Sequence, residues 1–292
     1  MLDLLLTIAL FNVLLICFKL FPKYRVDNLQ ALTVNYLTAG ICGLIMYEGT
    51  ITISGVLSAN WLYHAIIIGI LFIVVFNFFA QATQQVGLTV ATIANKMSLL
   101  FPFIFSLIIY PSDVLTGYKV IGLILAIIGI VLTSINGGKL NFNKKYIGLV
   151  LIVFIGQGIA DIVFTDCSRL PGAKEQTELI FVVLFFIAAI VGVLMIAIRS
   201  TNQKVQFSLK NIFWGIALGI PNYGTLYFMF RALNSSGLSA TEVYPVISMG
   251  AVLSSAILGL FIFKEKLTKT NWIGILSALL GILTLTFGKQ LW

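Results

Sequence analysis

Lys96 carries the sharpest chemical meaning in this chain, because it places an ammonium inside the apolar run Leu88 to Tyr110. Counted from the Val86–Gly87 turn, it lies about 13 Å into a helix that rises 1.5 Å per residue, near the middle of a bilayer. A charge at that depth costs a few kcal/mol even on lenient insertion scales, which makes it a functional-site hypothesis by default. It reads either as an anchor for a carboxylate or phosphate, or as a structural lysine paired with an acid or with helix carbonyls. Asn77 in the preceding apolar run is level with it, and Asn77, Gln81 and Gln84 follow at i, i+4 and i+7, a polar stripe on one helical face. Asn12, in the first apolar run, is a further candidate for substrate contact.

A second group joins acids to a base. Arg231 and Glu242 are equally far from the Ser236–Gly237 turn, so antiparallel packing puts them at one depth. Asp161 is about four residues from the same face, with Gln157 at i−4 on its own helical face. These residues read as a structural clamp or outer gate, or else as groups that touch substrate or take up a proton. Gln157 joins the candidate substrate contacts, and Asp161, Arg231 and Glu242 the candidate gate or coupling groups. Stranding one member of such a pair in low dielectric typically costs about 3–5 kcal/mol.

The aromatic candidates are Tyr223 and Tyr227, one helical turn apart and close to Pro221, which is expected to break the helix. They form a binding wall or an aromatic core. Trp61, Tyr63 and the lone His64 sit where an apolar run begins, as an interfacial belt would. Catalytic constellations are missing: there is one His, with no His-Glu-x-x-His motif, no Cys/His cluster and no Gly-x-Ser-x-Gly elbow. Cys17, Cys42 and Cys167 are scattered and odd in number, so they read as small buried apolar residues. No cofactor or metal is expected.

The elements that must position these groups are transmembrane helices. The chain has 292 residues, 60% hydrophobic and 10% charged, with mean hydropathy +1.06, which excludes a soluble globule or a disordered chain. Windows of about 19 residues mark ten runs. They are Leu2 to Phe21, Leu29 to Tyr47, Leu62 to Ala82, Leu88 to Tyr110, Tyr118 to Ile135, Ile147 to Cys167, Leu179 to Ile198, Ile212 to Leu233, Leu238 to Phe263 and Asn271 to Phe287. Continuous runs of this length are helices, since barrel strands would alternate over about ten residues.

The two halves repeat. A shift of 150 sets Gly69, Phe78, Ala82, Gly87 and Leu88 on Gly219, Phe228, Ala232, Gly237 and Leu238. A shift of 152 sets Leu115, Thr116, Ile121, Gly122, Ala126, Gly129 and Ile130 on Leu267, Thr268, Ile273, Gly274, Ala278, Gly281 and Ile282. With five spans per unit the second must enter the membrane from the opposite side, an arrangement found in transporters. The expected organisation is a first unit over 1–135, a linker at 136–145 and a second unit over 146–292. Small residues at Gly122, Gly129, Gly274 and Gly281 predict close packing of the fifth and tenth helices.

The stretch Gly237-Leu-Ser-Ala-Thr-Glu-Val-Tyr-Pro-Val-Ile-Ser, then Phe263-Lys-Glu-Lys-Leu-Thr and Ile273-Gly, resembles the EamA-type branch of the drug/metabolite transporter superfamily. The resemblance spans nearly the whole chain and is weaker from Gly87 to Ser134, where Asp113 stands for the family's usual Glu and Lys96 lies near the position that matches Pro245. It implies an all-α integral membrane protein of ten transmembrane helices, two inverted five-helix repeats around a central cavity lined mainly by helices 1, 3, 4, 6, 8 and 9. It does not fix the substrate.

The net charge of +8 is spread over short loops rather than gathered in a patch, so no nucleic-acid partner is expected. Twelve cations (Lys19, Lys23, Arg25, Lys139, Lys144, Lys145, Arg199, Lys204, Lys210, Lys264, Lys266 and Lys269) fall on one face, against five on the face of the termini. The positive-inside rule puts the twelve in the cytoplasm and both termini outside; the resemblance implies the reverse. The expected function is secondary transport of a small polar or amphipathic metabolite, such as an amino-acid-like compound, across the cytoplasmic (inner) membrane by alternating access. Without a P-loop, protons or a counter-substrate are the expected driving partners of a monomer in the lipid bilayer. The alternatives are a polytopic membrane enzyme acting on a lipid-linked substrate and a non-transporting membrane subunit.

Overall fold

A computed structural model describes residues 2–98, 101, 104–105, 116–133, 144–168, 170–173, 175–202, 206–235 and 240–291. Long helices dominate: α1 (Leu2–Leu20), α2 (Asn28–Met46), α3 (Leu62–Gln85), α4 (Leu88–Met97), α5 (Gly117–Thr133), α6 (Lys144–Ser168), α7 (Thr177–Asn202), α8 (Leu209–Ser235), α9 (Ala240–Ile257) and α10 (Lys269–Leu291). A short helix at Ile53–Leu57 interrupts the connection from α2 to α3. No strand occurs among the described residues. Among the described residues five stretches are long and apolar enough to cross a membrane: Leu2–Leu20, Asn28–Met46, Leu62–Gln85, Tyr146–Cys167 and Thr177–Thr201. The chain is therefore a multi-pass membrane protein.

The helices begin where the sequence supplies caps. Asp27 is extended and accepts from the Gln30 amide at 3.0 Å, opening α2. Thr268 and Asn271 bond each other's backbone amides at 3.2 and 2.8 Å, a reciprocal cap that opens α10. The Asn271 amide group also reaches the Thr133 and Leu132 carbonyls at 3.0 and 3.2 Å, so one side chain starts α10 and satisfies the end of α5. α9 runs on into a π-helical turn at Leu258–Ile262, where the Glu265 amide returns to the Gly259 carbonyl at 2.8 Å.

The expected contact of the fifth and tenth helices is present. A Cβ built on Gly129 would lie 2.8 Å from Ala278, one on Gly274 2.7 Å from the Thr133 amide, and one on Gly281 2.9 Å from the Ala126 amide. Backbones that close exchange dispersion and weak polar contacts that a larger side chain would prevent. Gly215 and Gly219 do the same for α8 against α2, where their Cβ positions fall 2.7 Å from the Ala31 carbonyl and 2.6 Å from the Asn35 carbonyl. α2 also packs on α7, α3 on α6 and α7, α1 on α8 and α9, and α4 on α6 and α9. Phe11, Phe18, Phe76 and Phe79 interlock α1 with α3 through stacked and edge-on rings.

Two expectations change. α8 continues through Pro221 without a break, and Thr225 donates to the Pro221 carbonyl at 2.7 Å. Neighbouring helices support a transmembrane helix around a proline, which an isolated helix lacks. Trp61 is only 1% exposed and donates to Gln176 at 2.7 Å, so it packs inside the bundle rather than standing in an interfacial belt. The fourth apolar run is described only as far as Ser98 in continuous form, and Asp113, the Ser236–Gly237 turn and most of the linker lie outside the described residues.

Candidate functional site

The polar centre is built where α4 packs on α6, with the Lys96 side chain reaching across to α1. Lys96 leaves α4 with its Nζ 4.2 Å from the centroid of the Phe11 ring on α1. A desolvated cation over an aromatic face gains up to about 2 kcal/mol, less than a full counter-ion would supply. On the other side of α4, Asn95 donates to Gln157 of α6 at 3.1 Å, and Gln157 donates to Asp161 at 2.8 Å. Ser98 Oγ lies 2.6 Å from Asp161 Oδ2 and 2.6 Å from the Asn95 carbonyl, so its single proton serves one of the two. Asp161 and Lys96 lie within each other's electrostatic reach, with no direct ion pair between them among the described residues.

This arrangement holds an acid and a base apart. Asp161 is satisfied by neutral donors, and the Lys96 ammonium by a ring, which leaves Lys96 able to meet an incoming anion. Asn12, beside Phe11 on α1, accepts from Ser254 of α9 at 3.0 Å and extends the polar layer across the bundle. Asn77 and Gln81 are half-buried on α3 and make no hydrogen bond among the described residues. Gln84, the third of that stripe, has a structural partner set instead: it reaches the Phe18 carbonyl at 3.1 Å and Asn28 at 3.0 Å.

Tyr223 and Tyr227 lie elsewhere. Their rings stack with centroids 6.1 Å apart and line a cleft with Glu178, Phe181 and Leu226, between α7 and α8. Tyr223 also closes on α2, 3.2 Å from a Cβ position at Gly43. The Arg231 guanidinium sits 5.9 Å from the Tyr227 centroid and 5.8 Å from that of Phe228, and 3.5 Å from Asp3. Its side chain is 54% exposed, that of Asp3 13%. The side chain of Glu242, its expected partner, lies outside the described residues. Asp161, expected to join Arg231, is bonded within the Lys96 group.

Sequence reasoning missed Ser98, Asn95, Asp3 and Glu265. Glu265 pairs with Lys19 at 2.6 Å and accepts from the Leu88 amide at 2.8 Å. It stands inside the Phe263-Lys-Glu-Lys motif, which signalled a family but no partner 246 positions away. On the face opposite these cations, His64 meets Asp166 at 3.0 Å. Among the described residues no three His, Cys, Asp or Glu side chains gather as a metal site.

Known proteins bear on this geometry. The chain is 26% identical over 277 residues to an uncharacterised protein of Haemophilus influenzae, covering 92% of each. Over 86 residues it is 34% identical to the probable 4-amino-4-deoxy-L-arabinose-phosphoundecaprenol flippase subunit ArnE of Proteus mirabilis, covering 29% of this chain and 73% of that one. A solved crystal structure superposes with a TM-score of 0.62 at 16% identity over 98% of both chains, a likeness of fold alone. The model of the EamA-like transporter family matches twice, over residues 3–135 and 144–287, and with both halves matched the chain belongs to that family.

Proposed function

We propose that this protein is a secondary transporter in which Lys96 holds the negative end of a small polar or amphipathic metabolite, reached by alternating access across the cytoplasmic membrane. The observation that carries this is the Lys96 ammonium facing the Phe11 ring at 4.2 Å, with Asp161 already served by Ser98 and Gln157. Substrate would complete the charge pair that the empty protein leaves open. Asn12, Asn77, Gln81 and Gln157 would supply hydrogen bonds beside it, and Asp161 is the group through which a proton or counter-substrate would be coupled. Tyr223 and Tyr227 would contribute from the α7–α8 cleft.

The proposed frame is two inverted five-helix units around a central cavity, 1–135 and 146–292 joined by 136–145. Two observations support it. The family model matches each half separately. The helix pairs also mirror one another under exchange of the halves: α3–α6 with α8–α1, α3–α7 with α8–α2, and α4–α6 with α9–α1. The flippase subunit resembled over 86 residues acts, by its name, on a phosphate-bearing lipid-linked sugar, which makes phosphates as well as carboxylates worth offering to Lys96.

The test is ligand-induced thermal stabilisation of purified wild type and Lys96→Met against carboxylates, phosphates, zwitterions, amines and neutral metabolites. A ligand at one hundred times its Kd stabilises by about 2.7 kcal/mol. Wild type is expected to respond to an acidic or zwitterionic compound, Lys96→Arg weakly and Lys96→Met not at all. An undiminished response by a folded Lys96→Met would remove the anchor.

A further inference from the structure

Glu265 ties together four chain segments at the basic face. Its Oε1 lies 2.6 Å from Lys19 Nζ at the end of α1 and accepts from the Leu88 amide, at the first turn of α4, at 2.8 Å. Lys19 also donates to the Thr83 carbonyl near the end of α3 at 3.2 Å. Glu265 itself follows the π-helical turn of α9. The two charged side chains are 20% and 14% exposed, so water screens them far less than a surface pair.

The backbone makes room for that carboxylate. Gly87, at φ +132°, occupies a region side chains rarely adopt and would carry a Cβ 3.4 Å from either Glu265 oxygen. A Cβ on Gly259 would stand 2.6 Å from Oε2. Gly87 precedes α4 and offers no side chain of its own to its free amides, so Glu265 caps α4 from the connection between α9 and α10.

Lys96 lies eight residues beyond Leu88 on α4, and Phe11 eight residues before Lys19 on α1. At 1.5 Å per residue both are about 12 Å deeper than the Glu265 cluster. The helices joined by the cluster, α1, α3, α4 and α9, are those that carry Phe11, Asn12, Asn77, Lys96 and Ser254.

We infer that the Lys19–Glu265 pair, with the Leu88 amide, is a latch that closes the path between the basic face and Lys96 and must release for substrate to pass there. The inference rests on the transport reading for its purpose, but its test reads access rather than substrate binding. A structural staple would only loosen the fold when cut, whereas a latch shifts the population between two accessible faces.

The experiment uses the full chain with Cys17, Cys42 and Cys167 replaced and a reporter thiol at Ser254→Cys, modified by an impermeant reagent applied from either face of sealed membranes. A cysteine at Arg25 in a parallel preparation marks the basic face. Glu265→Gln keeps an acceptor for the Leu88 amide but removes the ion pair; Gly259→Ala leaves the charges and displaces the carboxylate. Each is expected to raise the modification rate from the basic face about tenfold and to lower it from the opposite face. Both rates are read with no ligand present, so a missing ligand response in Lys96→Met does not bear on the latch. Unchanged rates in folded Glu265→Gln and Gly259→Ala would overturn it, as would a rise from both faces together. Should Glu265→Gln fail to fold, Gly259→Ala decides.

Discussion

Removing the Asp161 side chain tests whether the polar centre is one connected network. Asp161→Ala deletes the acceptor for Gln157 at 2.8 Å and for Ser98 at 2.6 Å. In water, hydrogen bonds to a charged group are worth about 1.5–3 kcal/mol each. Between membrane helices the measured value is smaller, averaging about 0.6 and reaching about 1.7 kcal/mol, because the unfolded chain in the membrane also finds partners. Two bonds then give roughly 1–3 kcal/mol, a fall of several degrees in apparent melting temperature in detergent. Asp161→Asn should lose less than half of that. Its carbonyl still accepts from Gln157, its amide donates to Ser98 Oγ, and Ser98 turns its own proton to the Asn95 carbonyl 2.6 Å away. Asp166→Ala, removing a carboxylate 45% exposed, is the control and should cost under about 0.5 kcal/mol. Equal losses for Asp161→Ala and Asp161→Asn, or none for either, would refute the network.

Other outcomes follow from the packing and the charges. Gly281→Val drives a side chain into the Ala126 amide at the α5–α10 contact and should cost about 1–3 kcal/mol, while Gly148→Ala, with open space around it, should be neutral or stabilising by under about 1 kcal/mol, both read by thermal unfolding. Arg231→Ala should cost under about 1 kcal/mol, since its own side chain, 3.5 Å from Asp3, is 54% exposed; a loss of 3 kcal/mol or more would point to a buried clamp. In intact cells, a cysteine at Thr50 should react with an impermeant thiol reagent and one at Arg25 should not, as the loop charges require; the opposite pattern places both termini inside.

What could be read beforehand was what repeats along one helix. The apolar runs, the close contact of Gly129, Gly274 and Gly281, and the chemical weight of Lys96 all follow from local spacing and burial cost. Pairings across the bundle did not. Phe11 beneath Lys96, and Lys19 beside Glu265, depend on rotations of helices far apart in sequence, which neither hydropathy nor charge spacing encodes. Gln84 shows the limit within one stripe, for its i+7 spacing from Asn77 is regular, yet its end-of-helix position gives it to Asn28 and Phe18. Arg231 was matched by depth to Glu242, whose side chain lies outside the described residues, and its approach to Asp3 at 3.5 Å, on a helix more than two hundred residues away, is one that depth alone does not point to.

The most extensive helix contacts join one half of the chain to the other: α5 with α10, α2 with α8 and α7, α1 with α8, and α3 with α6. A ribosome that has released only the first half has therefore made helices whose best partners do not yet exist. Glycine faces at Gly129 and small polar groups such as Asn35, wholly buried in the finished protein, meet lipid or translocation machinery until α8 and α10 arrive. Biogenesis of this protein is closer to closing a zip than to folding two beads in turn, and the second half serves as the scaffold on which the first completes itself.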